Sequence, residues 1–251
     1  GHEHEIDGDI FNMELTPNRG DCLSLVGLAR DLNIFFDYKS EPEIYKNKID
    51  QLDFDFENHA ASHCPKISFL EIEIDETPEH YEPYIESYFS KLNNNKINFF
   101  TDISNYVSYE LGQPTHCFNR ESINDKLIFN YEECSSVFET LLGSEINLSG
   151  KNCIFSLNNE IISLAGVMGG ASTACSKDTK KVLVECAYFN PESIIGKSIR
   201  YNLASEAAHK FERGVDIQSQ EKTLRRFIKI VQDHAKIIDI KFKSYTSKEI
   251  A

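Results

Sequence analysis

The sequence predicts an α+β fold. Hydrophobic patterns typical of helices and of strands both occur, but they do not alternate strictly along the chain, as they would around a parallel sheet. No internal repeat is present, and 251 residues, 41% of them apolar, suffice to bury a substantial core. These observations indicate mixed sheets packed with helices, in one or two domains.

A turn followed by an amphipathic helix is predicted near the start of the chain. Residues 17–20, Pro-Asn-Arg-Gly, favour a turn. Behind them Asp21 is a plausible N-cap, and apolar residues then recur at helical spacing. We predict an amphipathic helix from residue 21 to about residue 36.

A change in composition then divides the chain. Residues 39–64 are acidic and weakly periodic, which is typical of a linker or a variable connection. We therefore expect a partial, small helical domain over residues 1–38 and the main domain over residues 65–251.

The main domain mixes strands and helices. Alternating polarity over residues 66–75 predicts a strand with one buried face. Residues 78–95 place apolar side chains at helical spacing, and Asn190 followed by Pro191 is typical of a helix start. A longer helix is predicted from Asp216. Further strands are predicted at residues 125–133, 151–159 and 160–170.

Composition argues against a membrane or secreted protein. No apolar run approaches the roughly 18 residues that a membrane span needs. The initial GHEHEIDGDI lacks the basic start and the apolar stretch of a signal peptide. We therefore expect a soluble, cytoplasmic protein with no membrane partner.

The cysteines and the first histidines offer little chemistry. Seven cysteines are scattered without a C-x-x-C pair, and their odd number argues against a complete disulfide framework. We interpret them as reduced, mostly structural thiols. The initial HEHE has the residue types of a metal site, but a solvated tail accounts for it equally, and we predict no metal.

The charge is unevenly distributed. The net charge of −14 repels a polyanion at long range. From Lys177 onward, however, 15 Lys and Arg face 10 Asp and Glu, whereas the earlier residues carry 11 against 30. A polyanionic partner should therefore approach the C-terminal third, and other contacts must supply most of its affinity.

The stretch NYVSYELGQPTHCFN, residues 105–119, presents a histidine after a break. Gly112 and Pro114 interrupt a regular element, so His116 and Phe118 should lie at the start of a loop or strand. There His116 would face a cavity, or its ring would be satisfied by a backbone carbonyl within the core.

The stretch SLAGVMGGAST, residues 163–173, is rich in glycine. Gly166, Gly169 and Gly170 permit close backbone approach, so their N–H groups could point at a bound polar group. The spacing is that of neither a Walker loop nor a dinucleotide fingerprint. A tight turn between strands explains the pattern as well.

The stretch NLASEAAHKFERGVD, residues 202–216, predicts a short helix. Ser205 is a plausible N-cap, and Gly214 should end the turn. The small side chain of Ala207 leaves room for a pocket floor or for close packing of two backbones.

The stretch KVLVECAYFN, residues 181–190, places a carboxylate inside a buried strand. Strand parity puts Glu185 on the same face as Leu183 and Ala187. An unpaired charge at such a position is costly to bury, which points to a specific role for this side chain.

Five motifs in order resemble one family. They are ELTPNRGDCLSLVGLARDL, NYVSYELGQPTHCFN, LAGVMGG, VLVECAYFNPESI and AAHKFERGVD. Together they resemble the β subunit of bacterial phenylalanyl-tRNA synthetase, over the second part of its B1 domain and its whole B3/B4 domain. The family subunit is much longer, so the chain resembles a central piece of it.

The resemblance implies an editing domain, which hydrolyses tyrosine wrongly esterified to phenylalanine tRNA. It places Glu185 at the tyrosine hydroxyl and His116 near the scissile ester. It further implies that Gly166 and Gly169 orient the substrate through backbone N–H groups. Ser205 and Ala207 match positions that line the amino-acid pocket.

The implied reaction is attack of water on the ester, with His116 as the candidate general base. A vicinal hydroxyl of the terminal ribose is the alternative group for orienting that water. No cysteine matches a site position. The implied partners are phenylalanine tRNA and a synthetase α subunit in an α2β2 heterotetramer. We expect no cofactor here, with ATP and magnesium bound at the α subunit.

The chain departs from the family pattern at two positions. Ser205 replaces the usual threonine, which keeps the hydroxyl and loses a methyl contact. Asn95 stands where an arginine is expected, next to Lys96. A missing cation would slow editing unless Lys96 replaces it. Two other interpretations therefore stay open, a structural module between subunits with a decayed pocket and an independent protein that binds a small ligand.

Overall fold

Two five-stranded sheets form the centre of the fold, as the α+β prediction expected. The computed structural model describes residues 4–8, 10–36 and 41–247. Its helices are α1 (Leu25–Leu32), α2 (Pro83–Lys91), α3 (Phe99–Leu111), α4 (Pro191–Ile194), α5 (Lys197–Tyr201), α6 (Glu206–Arg213) and α7 (Gln220–His234).

The strands are mostly antiparallel. They are β1 (His4–Asp7), β2 (Ile10–Met13), β3 (Asp50–Gln51), β4 (Phe56–Asn58), β5 (Lys66–Ile74), β6 (His116–Asn119), β7 (Leu127–Cys134), β8 (Val137–Glu139), β9 (Glu145–Asn147), β10 (Gly150–Leu157), β11 (Glu160–Leu164), β12 (Met168–Gly169), β13 (Lys181–Tyr188) and β14 (Ile237–Thr246). The first sheet has the order β3-β14-β5-β13-β6 and the second β12-β11-β10-β7-β4.

The first sheet is covered on both faces. Val182 and Val184 of β13 pack in one core with α2, α3 and α7, whereas Leu183 and Ala187 pack in another with the second sheet. The prediction that residues 66–75 form a strand with one buried face was therefore wrong about its other face. In β5 the side chains of both faces are buried, because the second sheet covers Ile67 and Phe69 and the helices cover Leu70 and Ile72.

The N-terminal helix is shorter than predicted. Helix α1 begins after Ser24, whose hydroxyl accepts a hydrogen bond from the Gly27 N–H at 3.0 Å. Asp21 is not the N-cap, because it lies in a 3₁₀ turn and its carboxylate pairs with Arg19 and Arg30. Those local ion pairs, together with a hydroxyl three residues later, move the helix start to Ser24.

Residues 41–64 form an ordered connection. Strand β3 pairs with β14 and strand β4 pairs with β7, both in parallel. Leu52, Phe54 and Cys64 are buried in the core between the two sheets. The segment therefore contributes to the packing of the main domain, and the domain boundaries read from the sequence stay a prediction.

The later helices confirm two predicted starts and correct a third. Asn190 accepts a hydrogen bond from the Glu192 N–H at 3.3 Å, with Pro191 at the first helical position. Ser205 caps α6. Helix α7 starts after Ser219, because the Asp216 carboxylate accepts from the Gln218 N–H and holds a turn there.

Helix α3 was missed in the sequence analysis. Asn98 caps it by accepting from the Thr101 N–H at 3.1 Å, and Gly112 ends it with a φ of +81°. The Asn98 cap and Gly112 are the sequence signals that could have predicted it.

All seven cysteines are free thiols in the structure, and most are buried. Within the described ranges, none of the helices is long and apolar enough to cross a membrane. The histidine-rich start was considered as a metal site, but His2 lies outside the described residues and the side chain of His4 is not described.

Candidate functional site

An open cavity of about 400 Å³ lies beside strands β6 and β13. Its walls come from α3, the turn from β11 to β12 and the start of α6. All six residues that the sequence proposed for a site line it, namely His116, Gly166, Gly169, Glu185, Ser205 and Ala207. They are far apart in the sequence, and the fold brings them to one place.

Glu185 and His116 lie side by side on two neighbouring strands of the first sheet. They are Cα partners in the antiparallel pairing of β13 with β6. Glu185 is 5% exposed, and its neighbours on the same strand face, Leu183 and Ala187, belong to the core between the sheets. The predicted strand parity is thereby confirmed.

The Glu185 carboxyl group is buried without a charged partner. Burial alone raises its pKa to about 8, and no described residue forms an ion pair or hydrogen bond with it. At neutral pH the folded protein therefore holds mainly the protonated acid. That group keeps a carbonyl oxygen that accepts a hydrogen bond, and it adds an O–H that donates one.

The His116 ring is neutral as well. Its Nε2 atom is buried and has no hydrogen-bond partner among the described residues. Burial lowers the pKa of the imidazole to about 4, so the ring is unprotonated at neutral pH. The ring packs edge-on against Phe118, with 4.4 Å between centroids. A buried imidazole of this kind is a weaker base than a solvated one.

Gly169 allows the His116 ring to lie against the backbone. A Cβ atom at Gly169 would lie 2.3 Å from His116 Cε1 and 2.9 Å from Leu141 Cδ2. Gly166 has a φ of +73°, and a Cβ there would lie 2.9 Å from the ring of Phe189. Both glycines are therefore required by close packing at the cavity wall.

The Ser205 hydroxyl is occupied by the protein itself. It donates to the Val167 carbonyl at 2.6 Å and accepts from the Ala208 N–H at 3.1 Å. These bonds fasten the start of α6 to the glycine-rich turn. Ala207 follows two residues after Ser205, and its small, half-buried side chain lines the cavity.

We expect Ser205→Ala to destabilise the protein by about 1–2 kcal/mol, because it removes an N-cap and leaves the Val167 carbonyl without this donor. Urea unfolding would measure the change. Ser205→Thr keeps the hydroxyl and is the matched variant. A loss as large in Ser205→Thr as in Ser205→Ala would contradict the role given to the hydroxyl.

The rim of the cavity is polar but lacks a cation. Among the described residues that line the cavity, none is Lys or Arg. Asn95 lies at the rim, whereas the Lys96 ammonium binds both oxygens of Glu86, at 2.7 and 2.6 Å, and lies over the Tyr81 ring. Lys96 therefore points toward Glu86 and is not among the residues that line the cavity.

Several cavity residues were not proposed from the sequence. Leu141 and Leu142 come from the hairpin of β8 and β9, Asn105 from α3 and Glu206 from the first turn of α6. Leu142 is 65% exposed at the mouth. Nothing in the local pattern of the hairpin indicates a pocket, because its position depends on the Leu141 N–H donating to the Gly169 carbonyl at 2.9 Å.

One group of possible metal ligands occurs among the described residues, and it lies away from the cavity. Asp21, Cys22 and Asp31 approach one another closely. Their carboxylates already bind Arg19 and Arg30. Those guanidinium groups take the place that a cation would need, so the cluster fits ion pairs better than a metal.

An open cavity of this size, lined by apolar side chains and several polar groups, is typical of an α+β domain with a ligand site. The chain belongs to the B3/4 domain family, whose sequence model matches residues 79–236.

Curated relatives are phenylalanine–tRNA ligase β subunits. That of Photorhabdus laumondii is 32% identical over 232 residues, covering 91% of this chain and 29% of its own length. That of Neisseria meningitidis is 30% identical over 229 residues, with 90% and 29% covered. The chain thus spans under a third of the length of these relatives.

A solved structure shares the fold. It is an N-terminal fragment of the phenylalanyl-tRNA synthetase β subunit from Pyrococcus horikoshii, with a TM-score of 0.51 and 11% identity. The alignment covers 95% of this chain and 65% of that chain. At this identity the likeness concerns the fold alone.

Proposed function

We propose that the chain is the editing part of a phenylalanine–tRNA ligase β subunit and that it hydrolyses tyrosine esterified to phenylalanine tRNA. The names of the curated relatives support the enzyme, and the family model supports the domain. The observation that carries the proposal is the Glu185 carboxyl group, buried and unpaired in the wall of the cavity.

The carboxyl group accounts for discrimination between tyrosine and phenylalanine. The two amino acids differ by one hydroxyl, which an apolar pocket distinguishes poorly. A tyrosine hydroxyl that reaches Glu185 forms a hydrogen bond with it, whereas phenylalanine leaves the buried group unpaired. A site that hydrogen-bonds a substrate hydroxyl can reject the analogue without it by about 10⁴ to 10⁵.

The reaction needs no covalent intermediate. The oxygen of a water molecule bonds to the ester carbonyl carbon, the bond from that carbon to the ribose oxygen breaks, and a proton from water passes to the ribose oxygen. The His116 ring is neutral and its Nε2 is unpaired, so the tautomer with its proton on Nδ1 can accept a hydrogen bond from the attacking water. In this proposal His116 mainly positions the water, because its low pKa limits proton uptake.

The proposed setting follows from the relatives. The partners are phenylalanine tRNA and the ligase α subunit in an α2β2 heterotetramer, and the location is the cytoplasm. ATP and magnesium act at the α subunit, with no cofactor in this chain.

A second candidate function is a structural module in which editing has decayed. The absence of Lys and Arg among the described lining residues favours it, because a cationic side chain would assist binding of a tRNA end. The retained Glu185, with its cost of burial, opposes it.

The test is hydrolysis of tyrosyl and phenylalanyl esters of phenylalanine tRNA, with the chain alone in excess and within the complete ligase. We expect preferential loss of tyrosine, and Glu185→Ala should reduce the preference at least about 100-fold. Glu185→Gln keeps a carbonyl acceptor and should retain part of it. An unchanged preference in Glu185→Ala would refute the assigned role, and no hydrolysis in either setting would favour the structural module.

A further inference from the structure

The cavity carries one charged side chain at its rim. Glu206 lies in the first turn of α6, is exposed, and lines the cavity. The described lining includes no cation to balance it. The Glu206 carboxylate therefore gives the mouth of the cavity a negative potential.

The Glu206 carboxylate is also unpaired. No described residue forms an ion pair or hydrogen bond with it. Lys210, one turn further along α6, attracts Glu206 electrostatically, but its ammonium donates its hydrogen bonds to the carbonyl and hydroxyl of Ser108, at 2.6 and 3.1 Å. Lys96 is held by Glu86. A cationic group entering the cavity would meet a carboxylate that the protein leaves available.

The described residues that line the interior of the cavity add no positive charge. Glu185 is 5% exposed, unpartnered and largely protonated at neutral pH, and His116 is unprotonated. The side-chain amides of Asn95 and Asn105 at the rim also lack hydrogen-bond partners among the described residues. The cavity thus combines a neutral, buried hydroxyl-binding group with an anionic mouth.

We propose that Glu206 binds the α-ammonium group of the aminoacyl ligand while its aromatic ring extends toward Glu185. This assignment rests on the proposed function and adds a positioning residue to it. It implies that the preferred ligand class is an aromatic amino-acid ester or amide with a free, protonated amine. Acylation of the amine would remove the attraction.

An acidic residue in the first turn of a helix also stabilises that helix, and Glu206 must be distinguished from that ordinary role. Glu192 supplies the matched control. It lies in the first turn of α4, is exposed, and does not line the cavity. Glu192→Gln removes the same charge in the first turn of another helix.

The experiment titrates the protein with L-tyrosinamide, N-acetyl-L-tyrosinamide and N-acetyl-L-phenylalaninamide, followed by NMR shifts of cavity residues. The parent should bind L-tyrosinamide about threefold to fivefold more tightly than its N-acetyl form. Glu206→Gln should abolish that difference and keep the affinity for the N-acetyl form. Glu192→Gln should leave both affinities unchanged.

The outcomes separate this inference from the function on which it rests. A preference for the free amine that persists in Glu206→Gln, or is absent from the parent, overturns the role of Glu206. If N-acetyl-L-tyrosinamide still binds better than the phenylalanine amide in that case, the hydroxyl recognition by Glu185 stands. Failure of all three compounds to shift cavity residues overturns both.

Discussion

Glu185→Gln is expected to stabilise the folded protein by on the order of 4 kcal/mol at pH 8 and above. The expectation follows from burial, which raises the pKa of the carboxyl group from 4.5 to about 8. The Glu185 side chain is 5% exposed, so solvent does little to reduce the free-energy cost of burying its charge. Glutamine has a similar shape and carries no charge at any pH.

The direction of the effect depends on pH. Below about pH 4.5 both folded and unfolded chains hold the Glu185 proton, so the parent and the variant should be similarly stable in this respect. Between 4.5 and 8 the unfolded chain releases the proton while the folded chain keeps it, so the parent loses stability as pH rises. Above 8 the loss is complete and the difference is constant.

The measurement is urea unfolding of the parent and Glu185→Gln at pH 5, 7 and 8.5. Glu192→Gln, at an exposed site, should differ from the parent by no more than about 0.5 kcal/mol. A stability difference for Glu185→Gln that does not grow with pH would show that the buried group is not protonated as described. A large gain in the free energy of unfolding of Glu185→Gln would also show that Glu185 lowers the stability of the parent. Functional residues often have such a cost.

Gly169→Ala should destabilise the protein by about 1–3 kcal/mol and disturb the cavity. The new Cβ would lie 2.3 Å from His116 Cε1, closer than real contacts allow. The Leu141 contact is made by Cδ2, the end of a flexible side chain, which can move. The His116 ring is instead packed against Phe118. We therefore expect the imidazole to be displaced from the water-binding position proposed for it.

A double-mutant cycle tests this cause. In the His116→Ala background the ring is absent, so Gly169→Ala should cost less than half of what it costs in the parent. Urea unfolding of the four proteins gives the coupling free energy. An equal cost in both backgrounds would place the strain elsewhere, for example at Leu141.

The local elements were predictable because their signals lie within a few residues of one another. The caps at Asn190 and Ser205 depend on a side-chain oxygen and an N–H two or three residues later, and both were read correctly. The starts at Asp21 and Asp216 were misplaced because each carboxylate found other partners. Helix α3 was missed although Asn98 and Gly112 mark its ends.

The residues that line the site could be predicted from the sequence, whereas the hydrogen-bond partners of their side chains could not. Motif resemblance named His116, Glu185 and four further residues, and the fold brings all six to one cavity. It gave no sign that the Ser205 hydroxyl is taken by the Val167 carbonyl, or that Lys96 is held by Glu86. Those partners lie 38 and 10 positions away, and pairing at such separations depends on packing.

The sequence by itself determined the α+β class, the family and the residues available to the site, because hydrophobic period, caps and motifs are local properties of the chain. Only the tertiary structure decided which side chains are charged and free to act. Burial keeps the Glu185 carboxyl group protonated at neutral pH, whereas Glu206 is exposed in the first turn of α6, at the cavity. Protonation and pairing depend on burial and on distant neighbours, which arise only when the sheets and helices pack.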